Sequence, residues 1–472
     1  MPTFAYEASI PLLLTYAILV TATLLHMLYQ RRTPQSLTTW LLTLIFLPYI
    51  GVLLYLIFGL RKSFNKRHKA KITQTPLMAN ETITGLGAEI DELMIASQIS
   101  GTTAGNTIQL IHDSTEAYQL LLLQITQAKH SICLETYILE NDETGQAILK
   151  ALAAKARQGV KVKLLIDAVG SHKLYLQQNP LTDLKLAGGE YAFFQPIWPK
   201  IITNQINLRN HRKIYLFDEK ILLTGGMNLS NDYLGACPKS SRWIDLLFMI
   251  SGPTCMHYQT IFNEDWQFTI DPINSNKQIQ KPPQALAKTP KKTGQQILQA
   301  IPSGPDIKGD TLYEALLLCI HNAKHSIQIA TPYFIPSNNI MNALTIAVKR
   351  GVQVKLLTPT KSDHWIFDFG RSSYMRELSD LGGEIKTYSH KMLHAKLIIF
   401  DQKLAISGSA NLDYRSLFIN YEMVHILHCK TTIKELESWF NRLLEDANSY
   451  QPKHTKITHF IENSSRIIAP IL

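Results

Sequence analysis

Two long stretches of apolar residues dominate the N-terminal part of the 472-residue chain. The first covers about residues 10–30, and the second, residues 38–60, contains no charged side chain. Either stretch is long enough to cross the hydrocarbon core of a bilayer, which takes about 20 helical residues. Because only a short polar turn at residues 31–36 separates them, the pattern predicts a transmembrane helical hairpin over residues 1–62.

Other interpretations of these stretches are open. A cleavable signal peptide begins with basic residues, whereas the only charge before the first stretch is that of Glu7. A buried hairpin of a soluble protein is disfavoured by so long an uncharged run. Pro48 and Gly51 interrupt the second stretch and are compatible with a kinked or re-entrant helix. Basic residues are more frequent after Leu60 than in the turn, which predicts that the following domains lie in the cytoplasm.

Helical and β-rich stretches alternate in the rest of the chain, and they do so twice. In each copy a helix, predicted over residues 116–128 and 312–323, precedes a short β run. A second helix, predicted over residues 144–158 and 339–350, precedes a Val-x-Val-Lys-Leu-Leu strand. Such alternation predicts an α/β domain, and two of these domains can share an interface.

Shared landmarks indicate that the two copies arose by duplication. Ala-Lys-His-Ser-Ile occurs at residues 128–132 and 323–327, and Gly-Gly-Glu follows at residues 188–190 and 382–384. A polar segment without sustained periodicity precedes the first copy, and a stretch rich in Pro and Lys separates the two. The predicted divisions are a hairpin (1–62), a connecting segment (63–107), a first domain (108–276), a linker (277–296) and a second domain (297–472).

The composition adds a basic charge balance. The chain has 47 Lys and Arg against 37 Asp and Glu, a net charge of +10, which favours an anionic lipid or nucleic acid as partner. The apolar N-terminal stretches favour lipid, and the chain lacks the aromatic-basic pattern of single-strand binders. The five cysteines contain no Cys-x-x-Cys pair, so we expect neither a metal centre nor another cofactor.

The strongest chemical signal is a His-x-Lys-x-x-x-x-Asp motif, which occurs once in each copy. Its members are His211, Lys213 and Asp218 in the first copy, and His394, Lys396 and Asp401 in the second. Residues i and i+2 of a strand point to one face, so each His and its Lys are expected to enter one pocket. Ammonium groups can neutralise phosphate oxygens, and imidazoles can attack phosphorus or transfer protons near neutral pH. One such motif could be a surface pair, but two at matching positions predict a catalytic site.

Two turns and two acidic residues complete the candidate site. Each motif is followed by a turn of small residues that ends in Asn; its members include Gly226 and Asn228 in the first copy, and Ser409 and Asn411 in the second. Such a turn lets the backbone approach a phosphate, so we predict that these four residues bind substrate. Asp245 and Glu422 are candidates to fix the imidazole tautomers. Asp218 and Asp401 are expected to hold the strand or the lysine in place.

Together these motifs resemble the paired signatures of the phospholipase D superfamily, and nearly the whole chain is similar to bacterial cardiolipin synthases. The stretches that carry the resemblance are residues 47–51, 207–213, 303–306, 331–336, 410–416 and 420–422. The main departure is Trp243-Ile244-Asp245, where the family usually has Trp-Arg-Asp. Arg242 is a candidate substitute for the missing cation.

The resemblance implies two fused α/β repeats that share one active site and catalyse a ping-pong phosphatidyl transfer. His211 would attack the phosphorus of one phosphatidylglycerol while His394 protonates the departing glycerol. The resulting phosphatidyl-histidine would then react with a second phosphatidylglycerol to give cardiolipin. By the same resemblance, Lys213, Lys396 and the two Asn residues would hold the phosphoryl oxygens. The protein would be a multi-pass protein of the bacterial inner membrane.

Three alternatives differ in chemistry. The first is a phospholipase that hydrolyses the intermediate, or a transferase with another donor such as phosphatidylethanolamine. The second is a nuclease-like protein attracted to nucleic acid by the net charge of +10. The third is a non-catalytic membrane scaffold, which the intact His and Lys of both motifs disfavour.

Overall fold

The computed structural model describes residues 2–29, 34–58, 83–196, 207–271 and 291–452, together with the single positions Thr455, Ile457, Glu462 and Arg466. The chain forms two compact units. One contains the N-terminal helices, and the other contains both α/β repeats. Residues 30–33, which include part of the turn predicted at residues 31–36, and most of the predicted linker lie outside the described residues.

The N-terminal unit contains three helices: α1 (Pro2–Tyr29), α2 (Pro34–Phe46) and α3 (Ile50–Phe58). The second apolar stretch is therefore interrupted, as the alternative based on Pro48 and Gly51 anticipated. The chain turns at residues 47–49, where Pro48 disfavours helical geometry in the residue before it and Tyr49 has a positive φ of 64°. Gly51 follows directly, and a Cβ there would lie 2.7 Å from the carbonyl oxygen of Thr43.

These three helices bury a small apolar cluster, which includes Met27, Leu44 and Tyr55. Many other large apolar side chains are exposed, among them Leu13 and Ile18. The transmembrane spans predicted for this region are not supported, because no helix in the described part of the chain combines the length and apolar character that crossing a membrane requires.

The first repeat follows a helix that precedes it, α4 (Leu86–Ala96). Its elements in chain order are β1 (Thr103–Ile111), α5 (Ser114–Gln127), β2 (Ser131–Thr136), α6 (Glu143–Arg157), β3 (Lys161–Asp167), α7 (His172–Leu176), α8 (Thr182–Leu186), β4 (Glu190–Phe194), β5 (Ile214–Phe217), β6 (Ile221–Gly225), β7 (Leu247–Ser251) and α9 (Thr254–Ile270).

The second repeat has the same order of elements with short additions. It contains β8 (Gln296–Ser303), α10 (Thr311–Asn322), β9 (Ser326–Ala330), β10 (Phe334–Ile335), α11 (Asn338–Lys349), β11 (Gln353–Pro359), α12 (Trp365–Asp380), β12 (Glu384–Tyr388), β13 (Leu397–Phe400), β14 (Leu404–Gly408), β15 (Leu412–Asp413), α13 (Tyr414–Phe418), β16 (Glu422–Leu427), α14 (Lys430–Glu445) and β17 (Asn448–Ser449).

The four helices predicted in the two repeats are confirmed as α5, α6, α10 and α11, with ends that agree to within two residues. Local chemistry explains where two of them begin. The Asp142 carboxylate accepts the N–H of Gly145 at the start of α6, and the Ser337 hydroxyl accepts the N–H of Ile340 at the start of α11. Apolar residues at helical spacing then face the sheet, Ile148 and Leu152 in α6 for example.

A single 15-stranded sheet joins the repeats, in the order β17-β12-β11-β9-β13-β14-β16-β8-β1-β7-β6-β5-β2-β3-β4. From β8 outward and from β1 outward, corresponding strands occur in the same order. The two half-sheets are joined at the antiparallel pair β1 and β8, with Thr103 opposite Leu298 and Asn106 opposite Gln296. The duplication predicted from the sequence is thus confirmed as two α/β repeats arranged around one seam.

The predicted connecting segment, residues 63–107, is only partly a connection. Its described part contains α4 and the first residues of β1. Ile90 and Met94 of α4 are fully buried in the apolar core that both repeats share. Burial against the repeats stabilises this helix, an interaction that local periodicity over so short a stretch could not predict.

Candidate active site

The two motif segments run extended just before β5 and β13, rather than inside these strands as predicted. Each segment is held by the opposite repeat. The backbone N–H of His211 donates to the carbonyl of Tyr421 over 2.9 Å, and the N–H of His394 donates to the carbonyl of Ile244 over 2.8 Å. These contacts belong to two isolated parallel bridges between the repeats. Both motifs therefore reach the same interface.

Each imidazole contacts a carboxylate from the opposite repeat. Nδ1 of His211 lies 3.1 Å from Oε2 of Glu422, which belongs to the second repeat. Nδ1 of His394 lies 2.7 Å from Oδ2 of Asp245, which belongs to the first. All four side chains are buried. The sequence-predicted acids thus contact the imidazoles, each one in the opposite copy.

Burial and charge set the protonation states of these pairs. The pKa of His394 is lowered to about 4, chiefly by burial and then by the nearby ammonium of Lys396. Burial also lowers the pKa of His211, although Glu422 opposes the shift. Burial alone would raise the pKa values of Asp245 and Glu422, but neighbouring cations and hydrogen bonds leave both lowered. Two neutral imidazoles therefore face two carboxylates in the ligand-free protein near neutral pH.

The two motif lysines are buried beside the imidazoles. Lys213 Nζ donates to the His211 carbonyl over 2.8 Å, and Lys396 Nζ lies 2.7 Å and 3.0 Å from Nδ1 and Nε2 of His394. Desolvation lowers the pKa of Lys213 to about 7 and that of Lys396 to about 8. A buried anion would restore their charge, as a phosphodiester in the site would.

Gly226 and Ser409, predicted to approach a phosphate, contact the carboxylates instead. A Cβ at Gly226 would lie 2.1 Å from Oδ1 of Asp245, so only glycine leaves room for that carboxylate. At the matching position, the Ser409 hydroxyl donates to Glu422. These two residues therefore support the carboxylates that hold the imidazoles.

Asn228 and Asn411 end the two turns as predicted. The Asn228 side-chain oxygen accepts the N–H of Ile138 over 3.2 Å. Among the described residues, the Asn228 side-chain nitrogen and the Asn411 side-chain oxygen are buried without a hydrogen-bond partner. Buried amides of this kind are costly unless a ligand satisfies them, which fits the predicted role in substrate binding.

Asp218 and Asp401 lie at the far ends of β5 and β13. The Asp218 carboxylate accepts three backbone N–H groups, from residues 129–131, over 2.7–3.1 Å. Asp401 accepts the corresponding three from residues 324–326 over 2.7–2.9 Å. Since a strand extends about 3.3 Å per residue, five residues separate each Asp from its lysine by roughly 16 Å. The motif aspartates hold strand ends and do not reach the imidazoles.

Arg212, between His211 and Lys213, points away from the site into a buried charge cluster. Its guanidinium donates to Asp265 over 2.6 Å and to Asp306 over 3.2 Å. Because Asp306 comes from the second repeat, this ion pair also joins the two halves. Arg242 is not a substitute cation in the site, since its guanidinium donates to backbone carbonyls at positions 231, 235 and 237.

Two tyrosines that the sequence did not single out contact the imidazoles. The Tyr137 ring lies edge-on to His211, with 4.9 Å between ring centroids. The Tyr233 hydroxyl lies 3.3 Å from Nε2 of His394. Neither tyrosine is duplicated: Ser416 stands at the position that matches Tyr233, at the same distance from its motif histidine. Comparison of the repeats could therefore not find them.

The part of the chain that the structure describes brings together no group of three His, Cys, Asp or Glu side chains suited to a metal ion. The His211 ring contacts Glu422, and the His394 ring contacts both Asp245 and Lys396.

Comparison with known proteins identifies the family. The domain family described as "Cardiolipin synthase, PLD-like domain" matches residues 121–266 and 316–444, one match in each repeat. The chain belongs to the cardiolipin synthase family. Residues 18–59 also match the family described as "Phospholipase_D-nuclease N-terminal".

Family members of known name are similar over nearly the whole chain. Cardiolipin synthase 1 of Bacillus cereus is 32% identical, with 94% of this chain and 90% of the relative covered. Cardiolipin synthases of Geobacillus kaustophilus and Clostridium perfringens are 32% and 31% identical, again with 94% of this chain covered and with 90% and 95% of the relatives. The phosphatidylserine synthase of Haemophilus influenzae shares the fold, with a TM-score of 0.59, 15% identity and coverage of 77% of this chain and 95% of that structure.

Proposed function

We propose that this chain transfers a phosphatidyl group from one phosphatidylglycerol to another, and so makes cardiolipin with release of glycerol. The observation that carries the proposal is that each imidazole pairs with a carboxylate of the opposite repeat, His211 with Glu422 and His394 with Asp245. It supports a single site with two activated imidazoles, which is what a double displacement at phosphorus requires. Membership of the cardiolipin synthase family supports the choice of product.

In the first step, Nε2 of His211 attacks the phosphorus of the donor lipid. The Nδ1 partners of His211 are the Ser409 carbonyl and Glu422, which are acceptors, so Nδ1 carries the hydrogen and Nε2 keeps its lone pair. As the P–N bond forms, the P–O bond to glycerol breaks. The negative charge of the bound phosphodiester raises the pKa of His394, so this ring takes up a proton from water when the donor lipid binds and passes it to the departing oxygen.

In the second step the roles of acid and base reverse. Neutral His394 takes the proton from a hydroxyl of the second phosphatidylglycerol, whose oxygen attacks the phosphorus. The bond to His211 breaks, and cardiolipin leaves. The ammonium groups of Lys213 and Lys396, together with the amides of Asn228 and Asn411, hold the phosphoryl oxygens in both steps.

Product analysis tests this proposal. The purified protein in vesicles of phosphatidylglycerol is expected to release glycerol and cardiolipin in equal amounts, and a His211→Ala variant is expected to release neither. Phosphatidic acid in place of cardiolipin would identify a hydrolase. Release of ethanolamine from mixed vesicles, without release of glycerol, would identify another donor.

We further propose that the N-terminal helices attach the protein to a membrane. Several large apolar side chains of these helices are exposed: Leu13 and Ile18 to 67%, Leu25 to 63% and Leu14 to 59%. Lipid contact would remove this apolar surface from water. The uncharged sequence of residues 38–60 supports the finer prediction of a multi-pass protein of the inner membrane, and the basic residues that follow Leu60 support cytoplasmic repeats.

Removal of residues 1–60 tests the attachment. The shortened chain is expected to bind vesicles poorly and to work slowly on them, yet to keep its rate on phosphatidylglycerol dispersed in detergent. Equal rates of both chains on vesicles at low enzyme concentration would show that the repeats bind lipid unaided. Loss of the rate in detergent would instead indicate that the repeats need the helices for folding.

A further inference from the structure

The two active-site imidazoles differ at Nε2, although both bind a carboxylate through Nδ1. The hydroxyl of Tyr233 lies 3.3 Å from Nε2 of His394. The two rings meet edge to face with 5.1 Å between their centroids, and Trp243 packs on both at 4.8 Å and 5.2 Å. Tyr233 is 2% exposed, so its position is fixed by packing. Within the described residues, the hydrogen bonds of the His211 ring all involve Nδ1.

The carboxylates determine what each Nε2 can do. The ionised Asp245 accepts from Nδ1 of His394, so in the neutral ring Nε2 is an acceptor that faces the Tyr233 hydroxyl. The ammonium of Lys396 also lies 3.0 Å from this atom. The lone pair on Nε2 of His394 is thus covered by donors, whereas that of His211 meets none among the described side chains. A lone pair held by donors is a poor nucleophile, and the Tyr233 hydroxyl, unlike an ammonium, can turn to accept from Nε2 once that atom carries a proton.

We propose that Tyr233 is a positioning residue that reserves His394 for proton transfer and so leaves the covalent step to His211. This rests on the proposed function. In the first step, the Nε2 proton of His394 passes from its contact with the Tyr233 oxygen to the glycerol oxygen as the P–O bond breaks. In the second step, Nε2 regains a proton from the acceptor hydroxyl, and the Tyr233 oxygen is again its neighbour.

The repeat structure explains why one tyrosine can break the symmetry of the site. Ser416 occupies the matching position in the second repeat, and its shorter side chain extends from an element, α13, that has no helical counterpart in the first. Tyr137, the aromatic neighbour of His211, contacts that ring by its edge, with 4.9 Å between centroids. Of the two active-site imidazoles, His394 therefore has a phenol hydroxyl next to Nε2 and His211 does not.

A Tyr233→Phe variant of the full chain tests the proposal with two donor lipids. Glycerol is a leaving group that needs a proton, whereas p-nitrophenol leaves readily without one. We expect turnover of phosphatidylglycerol to fall about tenfold, the effect of one lost hydrogen bond. The first-turnover burst of p-nitrophenol from phosphatidyl-p-nitrophenol should stay within about twofold of wild type, because His211 attack is intact.

Tyr258→Phe is the matched control. Its hydroxyl lies 3.3 Å from Nδ1 of His425, the same kind of phenol-imidazole contact, but it is outside the active site. We expect this variant to keep both rates. Equal losses of turnover and burst in Tyr233→Phe, with Tyr258→Phe unaffected, would overturn the proposal by showing that Tyr233 serves the nucleophile. Unchanged turnover in Tyr233→Phe would overturn it as well.

The same experiment separates this proposal from the proposed function. Wild-type protein that makes phosphatidic acid instead of cardiolipin would refute the proposed function. The contrast between the glycerol and p-nitrophenol leaving groups would still decide the role of Tyr233, because it depends on proton transfer by His394 and not on whether water or a lipid accepts the phosphatidyl group.

Discussion

Glu422 of the second repeat accepts a hydrogen bond from Nδ1 of His211 in the first, over 3.1 Å. The reciprocal pair, His394 and Asp245, is separated by 2.7 Å. Neither repeat contains a complete imidazole-carboxylate pair of its own. The chemistry of each half therefore depends on the seam between β1 and β8.

Removal of either histidine should abolish turnover. If one site uses both imidazoles, His211→Ala and His394→Ala each lose essentially all cardiolipin formation, whereas two independent sites would leave half the rate in each variant. Steady-state product analysis with labelled phosphatidylglycerol measures the difference. Half-activity in either variant would contradict the shared site.

A trapping experiment separates the roles of the two histidines. With a donor lipid that has a good leaving group, His394→Ala should slowly accumulate a phosphatidyl label on an acid-labile, base-stable bond, because His211 can still attack. His211→Ala should accumulate none. Label found only in the His211→Ala protein would reverse the assignment.

The two exchanged carboxylates should matter for rate rather than for lipid binding. In Asp245→Asn and Glu422→Gln, the amide no longer stabilises a protonated imidazole, and we expect kcat to fall by up to about 10⁴-fold with a small change in KM. Asp91→Asn is the control, since this buried carboxylate accepts from the Thr102 N–H over 2.6 Å and from Gln299 over 3.2 Å away from the imidazoles. A comparable fall of kcat in the control would assign the effect to folding.

Activity should decline on the alkaline side of neutrality. Burial lowers the pKa of Lys213 to about 7 and that of Lys396 to about 8, so both ammonium groups lose their protons as pH rises through this range. A neutral lysine cannot offset phosphate charge, so kcat/KM should fall from about pH 7 to 9. In Lys213→Arg the guanidinium stays charged, and the decline should move toward the pKa of Lys396. A flat profile to about pH 9 would argue against both lysines as phosphate ligands.

Asp218 and Asp401 should contribute stability rather than rate. Each accepts three backbone N–H groups, partly exposed to water, so we expect Asp→Ala at either position to lower the free energy of unfolding by about 1–2 kcal/mol. Burial acts to raise each pKa, but the amide bonds outweigh it and leave the pKa lowered. The stabilisation is therefore present at neutral pH and disappears as the pH falls through the folded-state pKa.

Urea unfolding at neutral and acidic pH measures this contribution, and cardiolipin formation well below the melting temperature measures the rate. The difference in stability between wild type and variant should shrink in acid. A large fall in kcat without a change in stability would instead place the aspartates in the chemistry.

The repeated helices were predictable because their information is local. A capping Asp142 or Ser337 and apolar residues at helical spacing occur within one turn or two of each helix start. The duplicated landmarks then indicated two α/β units, and the spacing of each histidine, lysine and acid identified the side chains that meet in the site. Only the local geometry differed, since His211 and His394 precede their strands.

Long-range pairing was not predictable in the same way. Nothing in the spacing of Asp245 and Glu422 shows that each serves the histidine of the other repeat, because that depends on the bridges at Ile244 and Tyr421. The contact of Gly226 with a carboxylate, rather than with substrate, follows from the same crossing. Tyr233 has no duplicate, so the comparison that revealed the rest of the site could not reveal it.

The crossing of carboxylates restricts how such a chain can have arisen and how it can vary. A protein with one repeat alone would contain an imidazole and a carboxylate that do not contact each other. Two copies that assembled symmetrically could form both pairs, since each copy would supply its carboxylate to the imidazole of the other. Fusion of the two copies into one chain then fixed these pairs and allowed one half to acquire a residue such as Tyr233 that the other lacks. Thereafter the halves could diverge in sequence but not separate, since each inherits half of its chemistry from the other.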